Sequence, residues 1–160
     1  DNSFINKTMN RNLLFLFFLL ASISVINAVP HLNKRTTSFG KCPPIPGNPV
    51  VVADLTVTVV PDPIVSGQSA TFTISGTAAE DIPADAGLGV GYTNLDGSFI
   101  GNPTIVPFCG SGDPCPVKSG ETFNRKLTAV APTLPQQYIV GIEVATTQPA
   151  VYACAAAIVS

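Results

Sequence analysis

Leu55-Thr56-Val57-Thr58-Val59-Val60-Pro61-Asp62-Pro63-Ile64-Val65-Ser66-Gly67-Gln68-Ser69-Ala70-Thr71-Phe72-Thr73-Ile74-Ser75 decides the architecture of this 160-residue chain. Leu55, Val57 and Val59 alternate with threonines, and Ala70, Phe72 and Ile74 alternate with Thr71, Thr73 and Ser75. A period of two places one apolar and one polar face on each segment, which is a half-buried strand. The prolines between them fix the backbone and Gly67 permits a tight turn, so the stretch reads strand, rigid connection, strand.

The same period recurs outward from there. Leu88, Val90 and Tyr92 alternate with Gly87, Gly89 and Gly91, and three glycines on one face predict close approach of another element or a bend. Further strands are expected over residues 104–108, 122–130, 137–145 and 151–159, with Tyr138, Val140, Ile142 and Val144 sharing a face. No segment sustains a helical period. Roughly seven short strands separated by turn signals predict an all-β protein, an immunoglobulin-like antiparallel β-sandwich. The chain has no Trp, so the immunoglobulin hallmark of a core Trp is missing.

Upstream, Arg11 follows Met9, an apolar run covers Leu13 to Leu20, and small residues lead to Ala28. Residues 9–28 therefore read as a secretory signal, shorter in its apolar heart than a membrane span. Residues 1–8 precede that methionine and are excluded from the fold, together with the Asn6-Lys7-Thr8 sequon. The dibasic Lys34-Arg35 marks residues 29–35 as a propeptide-like segment, with a mature start expected near Thr36. The chain's one histidine, His31, would leave with it. Residues 36–160 form a single domain of ordinary size.

Beyond Arg35 the chain carries four basic and nine acidic residues, a net charge of −5. A basic footprint for nucleic acid is absent. Steady attraction to an anionic membrane at neutral pH is not expected on the same ground, while transient membrane contact at an apolar mouth is compatible with it. Catalysis lacks its parts: without a histidine the Ser or Cys triads have no general base, and no Gly-x-Ser-x-Gly elbow, His-Glu-x-x-His or phosphate loop occurs. Glu80, Asp81 and Asp85 lie in a Pro-containing loop and read as a solvated turn rather than a glycosidase pair. Glu121 and Glu143 read as solvent-facing strand residues. The domain is expected not to be an enzyme and to need no metal or other cofactor.

Four cysteines in a secreted chain make two disulfides, and sequence alone allows three pairings. The flexible Gly110-Ser111-Gly112-Asp113-Pro114 segment can bring Cys109 and Cys115 together, which leaves Cys42 for Cys154. Zinc-ligand spacings are absent.

Several features taken in order resemble the ML lipid-recognition domain. They are Cys42 near the mature start, Val60-Pro61-Asp62-Pro63 followed by Gly67, and Cys109 with Cys115-Pro116-Val117-Lys118-Ser119-Gly120. Leu134-Pro135 before Tyr138 and the late Cys154 complete the pattern. The resemblance spans Phe39 to Ser160. It implies seven strands in two splayed sheets with a lipid cavity between them, and it supports the pairings Cys42 with Cys154 and Cys109 with Cys115. The third, short disulfide of the animal sterol carriers has no counterpart here, which is closer to the fungal phosphatidylglycerol/phosphatidylinositol transfer proteins.

On that reading the cavity wall is Phe72, Ile74, Leu88, Val90, Tyr92, Phe108, Phe123, Leu127, Tyr138, Val140 and Ile142. Periodicity alone would equally describe an ordinary filled core; the resemblance favours a lipid chamber. It also implies a cavity mouth at Phe99, Val130 and Leu134. Tyr92 and Tyr138 are the wall residues whose hydroxyls could meet a sterol hydroxyl or a phosphate, although a buried phenol more often bonds to nearby backbone. The expected function is a secreted or lumenal, monomeric lipid-binding protein that transfers phospholipid between membranes. Sterol transport, or a lipid-presenting or protein-binding module without transfer, are the alternatives on the same fold.

Overall fold

The computed structural model describes residues 36–44, 46–110, 114–147 and 150–160. The expectations for residues 1–8, 9–28 and 29–35 lie outside the described residues. Among those described, every regular element is a strand: β1 (Gly40–Lys41), β2 (Ala53–Val60), β3 (Ser69–Thr77), β4 (Gly87–Thr93), β5 (Thr104–Pro107), β6 (Thr122–Val130), β7 (Tyr138–Ala145) and β8 (Val151–Val159). No helix among them is long and apolar enough to cross a membrane.

The strand order is β5-β4-β7-β8-β2-β3-β6, with β1 paired to β8. One half, β5-β4-β7-β8, is antiparallel throughout, and so is the other half, β2-β3-β6. They are joined where Ala53 and Asp54 of β2 run parallel to Ala153 and Cys154 of β8, after which β2 turns to β3 from Leu55 onward. This parallel splice is the departure from a purely antiparallel sandwich. The immunoglobulin-like all-β architecture is otherwise as expected.

Alternation in sequence becomes alternation in burial. Along β6, Phe123, Arg125, Leu127 and Ala129 are buried and the residues between them exposed. On β4 the buried side chains are Leu88, Val90 and Tyr92, and the glycines face outward. Ile105 lies over that bare backbone: a Cβ on Gly87 would meet Ile105 Cγ2 at 3.0 Å. The apolar faces of both halves converge in one buried cluster, crossed by an edge-to-face pair of Phe108 and Phe123 with ring centres 5.2 Å apart.

Both expected disulfides form, Cys42 with Cys154 and Cys109 with Cys115, each with Cα atoms 5.8 Å apart. The first ties the segment after β1 to β8, beside the parallel splice.

Candidate functional site

The strand register sorts the loops to two ends. Residues 61–68, 94–103 and 131–137 share one end, since β2, β4, β6 and β8 all finish there. Gly67, at φ 73°, turns its N–H to Ala131 O at 2.9 Å, a conformation that glycine adopts without a Cβ penalty. Leu134 N–H donates to Ser66 Oγ at 2.9 Å, and a Cβ on Gly101 would meet Pro132 Cβ at 3.1 Å. Three loops therefore interlock.

That end is apolar and poor in charge. Val60, Val65, Leu95, Phe99 and Val130 are exposed there, the last two at 68% and 63%. Its three loops contain no Lys or Arg, and their two carboxylates are engaged: Asp62 accepts from Thr37 N–H and Oγ1, and Asp96 accepts from Ser98 N–H and Oγ. Hydrogen bonds from Ser98 hold the Asp96 carboxyl below the usual carboxylate range.

The opposite end holds most of the charge. Asp81 pairs with Lys118 at 2.8 Å and accepts Ser119 N–H at 2.9 Å, which lowers the Asp81 carboxyl and raises the Lys118 amine. Glu80 accepts Val51 N–H at 2.9 Å. These carboxylates hold loops, in keeping with their reading as a turn. Glu143 is an exposed residue of β7, whereas Glu121 lies just before β6 and accepts Lys118 N–H at 2.8 Å.

All eleven expected wall residues, Phe72, Ile74, Leu88, Val90, Tyr92, Phe108, Phe123, Leu127, Tyr138, Val140 and Ile142, fall in the one buried cluster, none more than 5% exposed. In this state the two halves press their walls together. Of the residues expected at a mouth, Leu134 is half-buried against the cluster and Val130 points outward at the end of β6. Phe99 lies on the outer side of β4, where a Cβ on Gly91 would meet its ring at 3.7 Å, while its neighbour Ile100 packs inward against the cluster.

Cavities open on the flanks. One of about 550 Å³ is floored by Gly87 and Gly89 outside β4, a second of about 460 Å³ lies beside Arg125 at the charged end, and a third of about 570 Å³ is lined by Pro83 and Tyr152. Of the eleven wall residues only Phe123 borders these three.

Two features of the wall depend on polar atoms. Tyr92 Oη is buried with no hydrogen-bond partner among the described residues, and burial, then the neighbouring Tyr138, pushes its pKa up to about 12. Leaving such a group unsatisfied costs about 1–3 kcal/mol. Arg125, 7% exposed, was not among the residues expected inside, although its place between Phe123 and Leu127 on an alternating strand is the signal that would have found it. Its guanidinium donates to Phe108 O at 2.9 Å, Asn124 O at 3.0 Å and Pro114 O at 3.2 Å, and lies 4.7 Å from the Phe108 ring centre. These contacts join β6 to the segment that follows β5.

A solved structure of a Niemann-Pick type C2 protein from Japanese carpenter ant matches this chain at a TM-score of 0.52 and 15% identity, covering 76% of this chain and 97% of that one. Chicken MD-1, solved in complex with lipid IVa, matches more weakly, at a TM-score of 0.45 and 16% identity over 67% of this chain and 81% of that one. No curated protein sequence matches. The family described as ML domain matches residues 36–160. With that match running through every strand of the sandwich, the chain belongs to the ML domain family, a lipid-binding fold.

Proposed function

We propose that this domain is a secreted or lumenal carrier that encloses the apolar tail of a phospholipid between its two halves and passes it between membranes. The observation that carries the reading is the apolar end. A rim of exposed Val, Leu and Phe, whose loops carry no Lys or Arg, stands directly over a buried wall that is almost wholly hydrocarbon. Such an end can meet a bilayer without desolvating a basic side chain. The two disulfides suit an oxidising compartment.

The mechanism is exchange of contacts. The walls pack on each other in the closed state, so an entering chain replaces wall-to-wall contact with wall-to-lipid contact. Each buried CH₂ contributes about 0.8 kcal/mol toward parting the halves. The headgroup stays at the apolar end, and no covalent step is involved. Phospholipid rather than sterol is the preferred cargo because the four-cysteine pattern is closer to the fungal phosphatidylglycerol/phosphatidylinositol transfer proteins.

Leu134, Val130 and Phe99 are proposed as mouth residues, with Leu134 the most telling because it bridges rim and cluster. Leu134→Asp is expected to cut vesicle-to-vesicle transfer of labelled phosphatidylglycerol at least about tenfold, since a carboxylate would have to enter a desolvated rim. The circular dichroism spectrum should be unchanged. Undiminished transfer would remove Leu134 from the entry route. Preferential uptake of a sterol by the wild-type protein would replace the phospholipid assignment.

A further inference from the structure

The Tyr92 hydroxyl makes no hydrogen bond among the described residues. It is buried, and neither a donor nor an acceptor among the described residues lies within reach. Phenylalanine would fill the same space against Tyr138, whose ring centre is 6.2 Å away, without burying an unsatisfied oxygen. Register places this oxygen with care. Tyr92 pairs with Val140 and is the last inward residue of β4 before the 94–103 loop, and its carbonyl accepts Ile100 N–H at 2.8 Å. The hydroxyl therefore belongs to the wall at the level where the apolar end begins.

We propose that Tyr92 Oη is the polar anchor of the lipid site, hydrogen-bonding an oxygen at the junction between a ligand's apolar body and its head. This rests on the carrier reading. The chemistry selects lipids with an exchangeable hydroxyl or an ester carbonyl at that junction and disfavours the same hydrocarbon without one. A hydroxyl can donate or accept, so a sterol hydroxyl and an acyl ester carbonyl are both suitable partners. The buried setting gives the contact its selectivity, because a ligand lacking the oxygen leaves the phenol unsatisfied.

The test compares the wild-type mature protein with Tyr92→Phe against four probes: a diacyl phosphatidylglycerol, its diether analogue, cholesterol, and 3-deoxycholesterol. The wild type is expected to prefer one oxygen-bearing probe over its analogue. Tyr92→Phe should bind that probe about five- to tenfold more weakly while holding the analogue as before, the change expected for one buried hydrogen bond. The pair that loses its discrimination identifies the cargo. Equal binding of all probes by both proteins overturns the anchor and leaves the carrier intact, whereas failure of the wild type to bind any probe overturns both. Thermal unfolding without ligand is the second readout. Tyr92→Phe should melt at or above the wild-type temperature, and a clear drop would reveal an internal partner for the hydroxyl and overturn the proposal.

Discussion

Arg125 shows what a single buried cation does when its partners are carbonyls. Truncation to Met keeps the stem but leaves the Phe108 and Pro114 carbonyls without their donor. Urea unfolding of Arg125→Met is expected to reveal a loss of about 3 kcal/mol, and Lys, with its point charge, should recover little of it. Glycines divide just as sharply. A Cβ on Gly76 would meet Phe123 Cζ at 2.9 Å, Leu55 Cδ2 at 3.1 Å and Asp54 O at 3.2 Å, whereas one on Gly141 meets nothing within 4 Å. Gly76→Ala should therefore cost about 1–3 kcal/mol in the same assay, and Gly141→Ala nothing measurable. Tyr92 adds a pH signature. Its folded pKa, raised to about 12, lies above the ordinary tyrosine value of 10.0, so its contribution is intact below 10 and is lost as pH rises toward 12. Tyr92→Phe should flatten the fall in stability across that window, measured by denaturant midpoints.

At the level of elements, the strands were the most legible part of the chain. The alternation in residues 55–59 and 70–75 passed directly into β2 and β3, because a half-buried strand requires that period. Gly87, Gly89 and Gly91 signalled close approach, and Ile105 from β5 supplies it. What alternation does not record is pairing between distant segments. The parallel contact of Ala53 and Asp54 with β8 has no local pattern, and neither does the two-residue β1. Which of Phe99 and Ile100 turns inward was not legible for a related reason: both occupy a loop, where no period sorts the side chains. The disulfides differ in leverage. In the loop-entropy account, losing the Cys42–Cys154 bridge, with a sequence separation of 112, should cost about 4.8 kcal/mol, against about 2.4 kcal/mol for Cys109–Cys115, with a separation of 6. Paired Cys→Ser variants compared by calorimetry would rank them, and a reversed order would contradict that account.

For the whole molecule, the division into an apolar and a charged end is the feature on which the proposed carriage rests. Loading should stabilise the protein by mass action, by about 2.7 kcal/mol when free lipid stands at a hundred times its dissociation constant. A melting temperature indifferent to saturating phosphatidylglycerol would argue against enclosure of that lipid.

The splice between β2 and β8 carries a mechanical consequence. Along that side the molecule is bound like the spine of a book, by ladder hydrogen bonds and by the Cys42–Cys154 stitch beside them. The fore-edge, where β5 and β6 end the strand order, has no ladder across it among the described residues; the Arg125 clasp fastens it toward the charged end, and the close approach of Gly101 to Pro132 closes it at the other. On the proposed carriage, parting the pages at the end where Leu95, Phe99 and Val130 face the solvent would require only the Gly101–Pro132 approach to yield, with no ladder to unzip.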